Sequence, residues 1–176
     1  MPPVNLPLPR PRKLRKGAAA FDKHVPGIRY GLLDELAGYS VRRAQIAIYE
    51  ILEREMTPLR ITPPRFSSLV LIEANPGILQ SELANIIGVG RPAMVAIIDF
   101  LQAQGWLQRR AHDGDRRANH LVLTPKGRAH LARVKERMAA LDAHWTSGLS
   151  ADERKTLMAL LDRVPPRPDA DHTGPA

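Results

Sequence analysis

Between Thr62 and Gly127 proline and glycine cut the chain into short pieces, and that punctuation limits what it can build. Thr62-Pro63 is a helix start, because threonine can cap and proline fits the first turn. This helix is expected to run to about Ala74, where Asn75-Pro76-Gly77 forces a turn. Ile78-Leu79 has room only for a very short strand. Ser81 to Ile87 reads as a short helix ended by Gly88, and Val89-Gly90 as a tight turn. Arg91 to Gln104 reads as a second helix, with Pro92 at an allowed early position and Gly105 as its stop. Val95, Ile98 and Leu101 are its expected buried stripe.

A hairpin pattern follows. Trp106 to Arg110 leads up, His112 to Ala118 is a polar tip containing the turn dipeptide Asp113-Gly114, and Asn119 to Leu123 leads back. His112 and His120 are expected to face each other across it. Thr124-Pro125 opens another helix with a heptad-like seam at Leu131, Val134, Met138, Leu141 and Trp145. Ser150 to Glu153 is a capping box for a last helix carrying Leu157, Leu160, Leu161 and Val164. Upstream, Arg29 to Met56 reads as one long helix. Its stripe is Leu33, Leu36, Ser40, Ala44, Ala47 and Ile51, widened by Leu32, Tyr39, Ile46 and Tyr49. Periodicity leaves two readings of that face open: a dimer contact or a plain core face. The expected fold is mainly α with a small β-hairpin wing.

Charge then narrows the function. The formal net charge is +8, concentrated in residues 1–29 (net +6) and 105–137 (net +6), with the remainder at −4. Such a balance favours a polyanionic partner. No apolar run approaches the roughly 20 residues that span a bilayer. The basic region near the start of the chain has no apolar segment after it, and Val4, Leu6 and Leu8 only alternate with prolines, which is not a signal peptide. No membrane partner is expected. The absence of cysteine excludes disulfides and thiolate chemistry and fits a reducing cytoplasm.

A short helix, a glycine turn and a second helix form a helix-turn-helix pattern. Arg109, Arg110, Arg116 and Arg117 crowd the hairpin that follows. A guanidinium at such a tip can enter the minor groove, and others on the arms can neutralise phosphates. Asp115 can aim one of them by a charge-assisted hydrogen bond. The plain alternative is a solvated polar loop. Gly88-Val89-Gly90-Arg91-Pro92-Ala93 also fits the dinucleotide fingerprint, but that motif needs a preceding strand, and Ser81 to Ile87 reads as a helix. The histidines show no i, i+4 pair and no carboxylate cluster, so neither a metal, a cofactor nor a catalytic set is expected.

From about Tyr39 to Val164 the chain resembles the MarR family of winged-helix regulators. The carrying segments are TPPRFSSLVLIEANPGILQSELANIIGVGRPAMVAIIDFLQAQGWLQRR and DGDRRANHLVLTPKGRAHL. The resemblance implies a winged helix-turn-helix DNA-binding domain over 61–124 and a helical dimerisation domain drawn from both chain ends, 27–60 and 125–164. Residues 1–26 would be a basic Pro-rich flexible arm and 165–176 a flexible tail. It also implies a homodimer on a pseudo-palindromic double-stranded DNA operator. Ser81 would open the first helix of the motif, Arg91 to Gln102 would be the recognition helix, and Arg117 the minor-groove arginine held by Asp115. Here the sequence departs from the family. Gly90, Pro92 and Ala93 stand where hydroxyl and acidic residues are usual. Base readout would rest on Arg91 and on apolar contacts from Ala93, Met94 or Ile97.

The resemblance further implies a small-molecule effector, often aromatic, in a cleft whose candidate lining residues are Tyr39, Arg43, Ile46 and Phe66. Arg43 could meet a ligand carboxylate or pair with an acidic residue of the protein. The segment GVGRPAMVAIIDFLQAQGW resembles a branch that controls degradation of aromatic acids such as hydroxycinnamates, in which the effector can be an acyl-CoA thioester. The expected function is a ligand-released repressor, not an enzyme. A nonspecific nucleic-acid or nucleoid-binding protein without an effector is the alternative.

Overall fold

A computed structural model describes residues 24–112 and 115–164, with the backbone alone for 111–112 and 115–119. Most of the expected arm (1–23) and the tail (165–176) lie outside the described residues. The chain forms two compact units, 1–51 and 52–176.

In the first unit the single helix expected from Arg29 is corrected. A 3-10 turn, Gly31–Glu35, comes first, and helix α1 (Ala37–Met56) starts only after it. Gly31 sits at φ +56 and Leu36 is extended at ψ 110, conformations that a right-handed helix cannot contain. Leu32, Leu33, Leu36, Val41 and Tyr49 are exposed, whereas Ala44, Ala47 and Ile51 are half-buried.

The second unit holds the core. Helix α2 (Pro63–Ala74) begins at the expected place, but Thr62 makes no side-chain capping bond. Helix α3 (Gln80–Ile87) ends at Gly88, whose φ of +73 gives the left-handed stop. Helix α4 (Arg91–Ala103) follows an extended Gly90. Strands β1 (Leu107–His112) and β2 (Asp115–Leu123) pair antiparallel, with Leu107 opposite Leu123. Arg110, not His112, faces His120, because the register set by Leu107 opposite Leu123 runs unbroken to Ala111 opposite Asn119. Leu79 bridges to His120 as the expected short strand. Helix α5 (Pro125–Trp145) and helix α6 (Ala151–Leu161) complete the order.

Leu69, Ile72, Leu83, Met94, Ile98, Leu101, Leu107, Leu121, Leu131 and Val134 are almost wholly buried. Each such side chain contributes about 2 kcal/mol. The stripe of α4 is corrected: Met94, Ile98 and Leu101 face the core, while Val95 is 43% exposed. Residues 94, 98 and 101 fall on one helical face, and 95 is turned about 100° from 94. Ser68 is buried too, and its hydroxyl donates to the Pro64 carbonyl at 2.7 Å.

One junction ties α4, the hairpin and α5 together. Thr124 caps α5 by accepting from the Gly127 N–H at 3.0 Å, and its hydroxyl donates to the Gly105 carbonyl at 2.6 Å. The Thr124 N–H donates to the Trp106 carbonyl at 3.0 Å. Gly127 crosses that same peptide so closely that a Cβ there would lie 1.9 Å from the Trp106 oxygen. His130, one turn further along α5, stacks on the Trp106 ring at 3.8 Å between centroids and 11° between planes. Burial holds the His130 imidazole below its ordinary value of 6.5, helped by the nearby Arg133 charge and opposed by a backbone hydrogen bond at Leu59.

Two outcomes follow for this junction. Gly127→Ala forces backbone apart and should lower stability by about 1–3 kcal/mol or more, read from urea unfolding. His130 binds fewer protons folded than unfolded, so its contribution is whole above the ordinary value of 6.5 and declines as pH falls from there towards the lower folded value. Urea midpoints at pH 7.5 and 5.5 should differ less in His130→Phe than in the wild type. Equal differences would remove His130 as the cause.

Candidate nucleic-acid interface

Helices α3 and α4 are bent by 113° across the Gly88–Gly90 turn, within the range for a helix-turn-helix. No single helix among the described residues is long and apolar enough to cross a bilayer. Leu83 and Ala84 bury α3 against the core, and Met94, Ile98 and Leu101 bury α4. What α4 leaves outside is therefore its first turn, Arg91, Pro92 and Ala93, and the face that continues through Val95, Ala96, Asp99 and Gln102, all exposed. Ile97 is half-buried. Met94 is fully buried and has no surface to offer a base, so Val95 takes the outward place expected for it.

Ser81 is exposed in the first turn of α3. It is not the cap, because the Glu82 carboxylate accepts the Leu79 N–H at 2.9 Å and closes that end. Hydroxyl, guanidinium and the unpaired N–H groups at the start of α4 can each meet a phosphate.

The hairpin stands next to this surface. Arg109 does not point away to solvent as an idle cation. Its guanidinium donates to Asp99 at 2.6 Å and to Gln102 at 2.5 Å. Asp99 and Gln102 are one turn apart on α4, so one arginine of β1 clamps the helix face beside it. This brace escaped the sequence reading. Its signal was the i, i+3 spacing of an acid and an amide just ahead of an arginine. The clamp also takes Asp99 and Gln102 away from base readout, which leaves Arg91 as the hydrogen-bonding side chain of α4 outside it. Arg110 is exposed, and Gln108 accepts from it at 3.0 and 2.9 Å in the amide orientation that satisfies both. The strands extend to His112 and resume at Asp115, so Arg116 and Arg117 stand in β2 rather than on a free tip. The side chains of Asp115, Arg116 and Arg117 lie outside the described residues.

The candidate effector residues divide between the units. In the first, the Arg43 guanidinium lies 4.9 Å from the Tyr39 ring and 5.6 Å from the Tyr30 ring. It also lies 3.7 Å from the Asp34 carboxylate and 3.4 Å from His24 Nδ1. The protein thus supplies a carboxylate to Arg43 from the 3-10 turn, the second of the two readings of that residue. Ile46 is half-buried on α1. In the second unit Phe66 is half-buried on α2.

Comparison with known proteins places the chain among regulators. The sequence model of the MarR family matches residues 61–118. A Thauera aromatica protein named for transcriptional regulation of the hcr operon is 35% identical over 128 residues, 72% of this chain and 77% of that protein. The transcriptional repressor CouR, solved on a 23-mer DNA duplex, is 40% identical with a TM-score of 0.73, covering 77% of this chain and 96% of that one. CouR solved with p-coumaroyl-CoA is 38% identical with a TM-score of 0.68, covering 77% and 95%.

Removing the clamp should loosen the hairpin without unfolding the unit. Asp99→Ala is expected to change global stability by no more than about 1 kcal/mol, since the pair is partly exposed. Amide exchange in β1 should rise several-fold. Unchanged exchange would mean that the clamp holds nothing.

Proposed function

This chain belongs to the MarR family of transcriptional regulators, and from that premise we propose that it is a homodimeric repressor that leaves its operator when an aromatic acid or its CoA thioester binds. It is not an enzyme. The observation that carries the reading is the first turn of α4. It is the exposed end of a helix that is otherwise anchored, and it lies beside an arginine-rich hairpin clamped to the same helix.

In this reading α4 enters the major groove. Arg91 is the main base reader there, with Ala93, Val95 and Ile97 available for thymine methyls. Ser81 and the α4 N-terminus meet phosphates. Arg110, Arg116 and Arg117 follow the backbone and minor groove, with Asp115 aiming Arg117. Arg109 positions the wing rather than touching DNA. Residues 61–124 are the DNA-binding domain, and 27–60 with 125–164 the dimerisation domain. The dimer reading is supported by apolar side chains left exposed near both ends. These are Leu32, Leu33, Leu36 and Val41 in the first unit, and Leu157, Met158, Leu160, Leu161 and Val164 at the end of the second. A second copy would remove them from water.

Tyr39, Arg43, Ile46 and Phe66 are proposed to meet the effector. A ligand carboxylate at Arg43 would have to compete with Asp34. The ligand shifts the DNA-binding equilibrium only by its differential affinity for the free and DNA-bound states. A likeness to a repressor solved both on DNA and with p-coumaroyl-CoA supports this effector class. One observation favours the alternative of weakly specific nucleic-acid binding: Asp99 and Gln102, the polar residues of the α4 face, are held by Arg109.

The test is binding to duplex DNA from upstream of the gene, beside random DNA, over a salt series. Arg117→Ala and Arg91→Ala should each weaken specific binding by about ten- to a hundredfold. p-Coumaroyl-CoA or the free acid should release the wild type. Equal affinity for random DNA would favour the alternative, and failure of every aromatic ligand to release the protein would remove the effector reading.

A further inference from the structure

Three cations lie around the far end of α4, and their contacts within the fold leave their charges uncompensated. Arg60 follows a 3-10 turn, Thr57–Leu59, and is the one non-glycine residue with positive φ (+56) among the described residues. That backbone costs energy for an L side chain and points to a constraint worth explaining. It directs the Arg60 guanidinium to Gln104 Oε1 at 3.1 Å. Arg65 donates to the Arg60 carbonyl at 3.2 Å and lays its guanidinium 3.4 Å above the Phe100 ring. Burial draws the Arg65 side chain below its ordinary value. The Lys126 ammonium lies beside Gly105, 3.7 Å from where a Cβ on that glycine would stand. Gln104 and Gly105 are consecutive, so the three cations surround one corner. Among the described residues no carboxylate pairs with any of them.

Their place argues against DNA. Helix α4 has thirteen residues, so its end lies about 20 Å from the first turn proposed to read bases. The corner is also at the base of the hairpin, at the opposite end of the strands from the arginine-rich tip. The C-terminal dipole of α4 attracts cations, but that effect is satisfied by one charge and does not require a left-handed arginine.

We propose that Arg60, Arg65 and Lys126 form a phosphate-binding corner for the nucleotide-diphosphate portion of a CoA-type effector. The proposal rests on the effector reading above but is tested separately from it. Two guanidiniums offer forked donors to phosphate oxygens, Lys126 adds a compact charge, and the Gln104 amide can donate to a third oxygen. Contact with the Phe100 ring restrains Arg65, so little side-chain freedom is lost on binding.

The probe is free coenzyme A, which carries the phosphates without an acyl group, with dephosphorylated pantetheine as control. Binding is followed by the fluorescence of Trp106, which adjoins Gly105, and by calorimetry. The wild type should bind coenzyme A and not pantetheine, and affinity should fall at least tenfold in Arg60→Gln and in Lys126→Gln. Both variants are exposed substitutions, and their operator affinity should stay within about twofold of the wild type. No coenzyme A binding to the wild type, or binding equal in the variants, overturns the corner. Coenzyme A binding that depends on the corner, with no thioester able to release DNA, keeps the corner and removes the effector reading instead. Loss of operator affinity in both variants would reassign the cations to DNA and overturn the proposal.

Discussion

The closest constraint in this molecule is the crossing of Gly127 over the Trp106 peptide. No side chain fits between them, so the start of α5 lies directly on the backbone that leaves α4 and enters β1. Thr124 seals the crossing from both sides, capping α5 while bonding to Gly105 and Trp106. Consequently the hairpin cannot swing independently of α5, and α4 cannot turn independently of the hairpin. The Arg109 clamp adds a second tie on the same pair of elements, further along. The surface proposed for DNA is held at two points, and one of them reaches the helix on which the dimer reading depends.

Polar chemistry follows that frame. Core burial of Met94, Ile98 and Leu101 leaves the first turn and the opposite face of α4 outside, which is why one helix can be both structural and exposed. The same packing sends the other end of α4 into a corner of three cations. Thus a single helix carries the surface proposed for one polyanion at its start and the site proposed for a smaller anion at its end. Its buried stripe lies between them, so ligand at one end has a rigid element through which to bias the other.

Much of this was readable beforehand. Gly88, Gly105, Thr124-Pro125 and Ser150 mark element ends by local backbone chemistry, and the structure has them at those ends. The Ser150–Glu153 box closes reciprocally, and its two Ser150 contacts hold the Glu153 carboxyl below the usual range. Three readings failed because they needed phase or register. Val95 and Met94 exchanged places because adjacent helical residues differ by a third of a turn. The long first helix broke at Gly31 and Leu36, since an apolar repeat cannot report a left-handed glycine. His112 and His120 missed each other because the hairpin register pairs Leu107 with Leu123 and so Arg110 with His120, which alternation does not reveal.

By itself the sequence determined the order and ends of the elements and the basic character of the wing. It also determined the family, because caps, turn residues and charge act within a few residues of one another. Only the tertiary structure decided which face of α4 is buried, that Arg109 is a clamp, that Asp34 reaches Arg43, and that Arg60, Arg65 and Lys126 each reach the end of α4. Those outcomes join side chains on different elements, from seven residues apart for Arg109 and Gln102 to 44 for Arg60 and Gln104, and their partners are chosen by packing rather than by local preference.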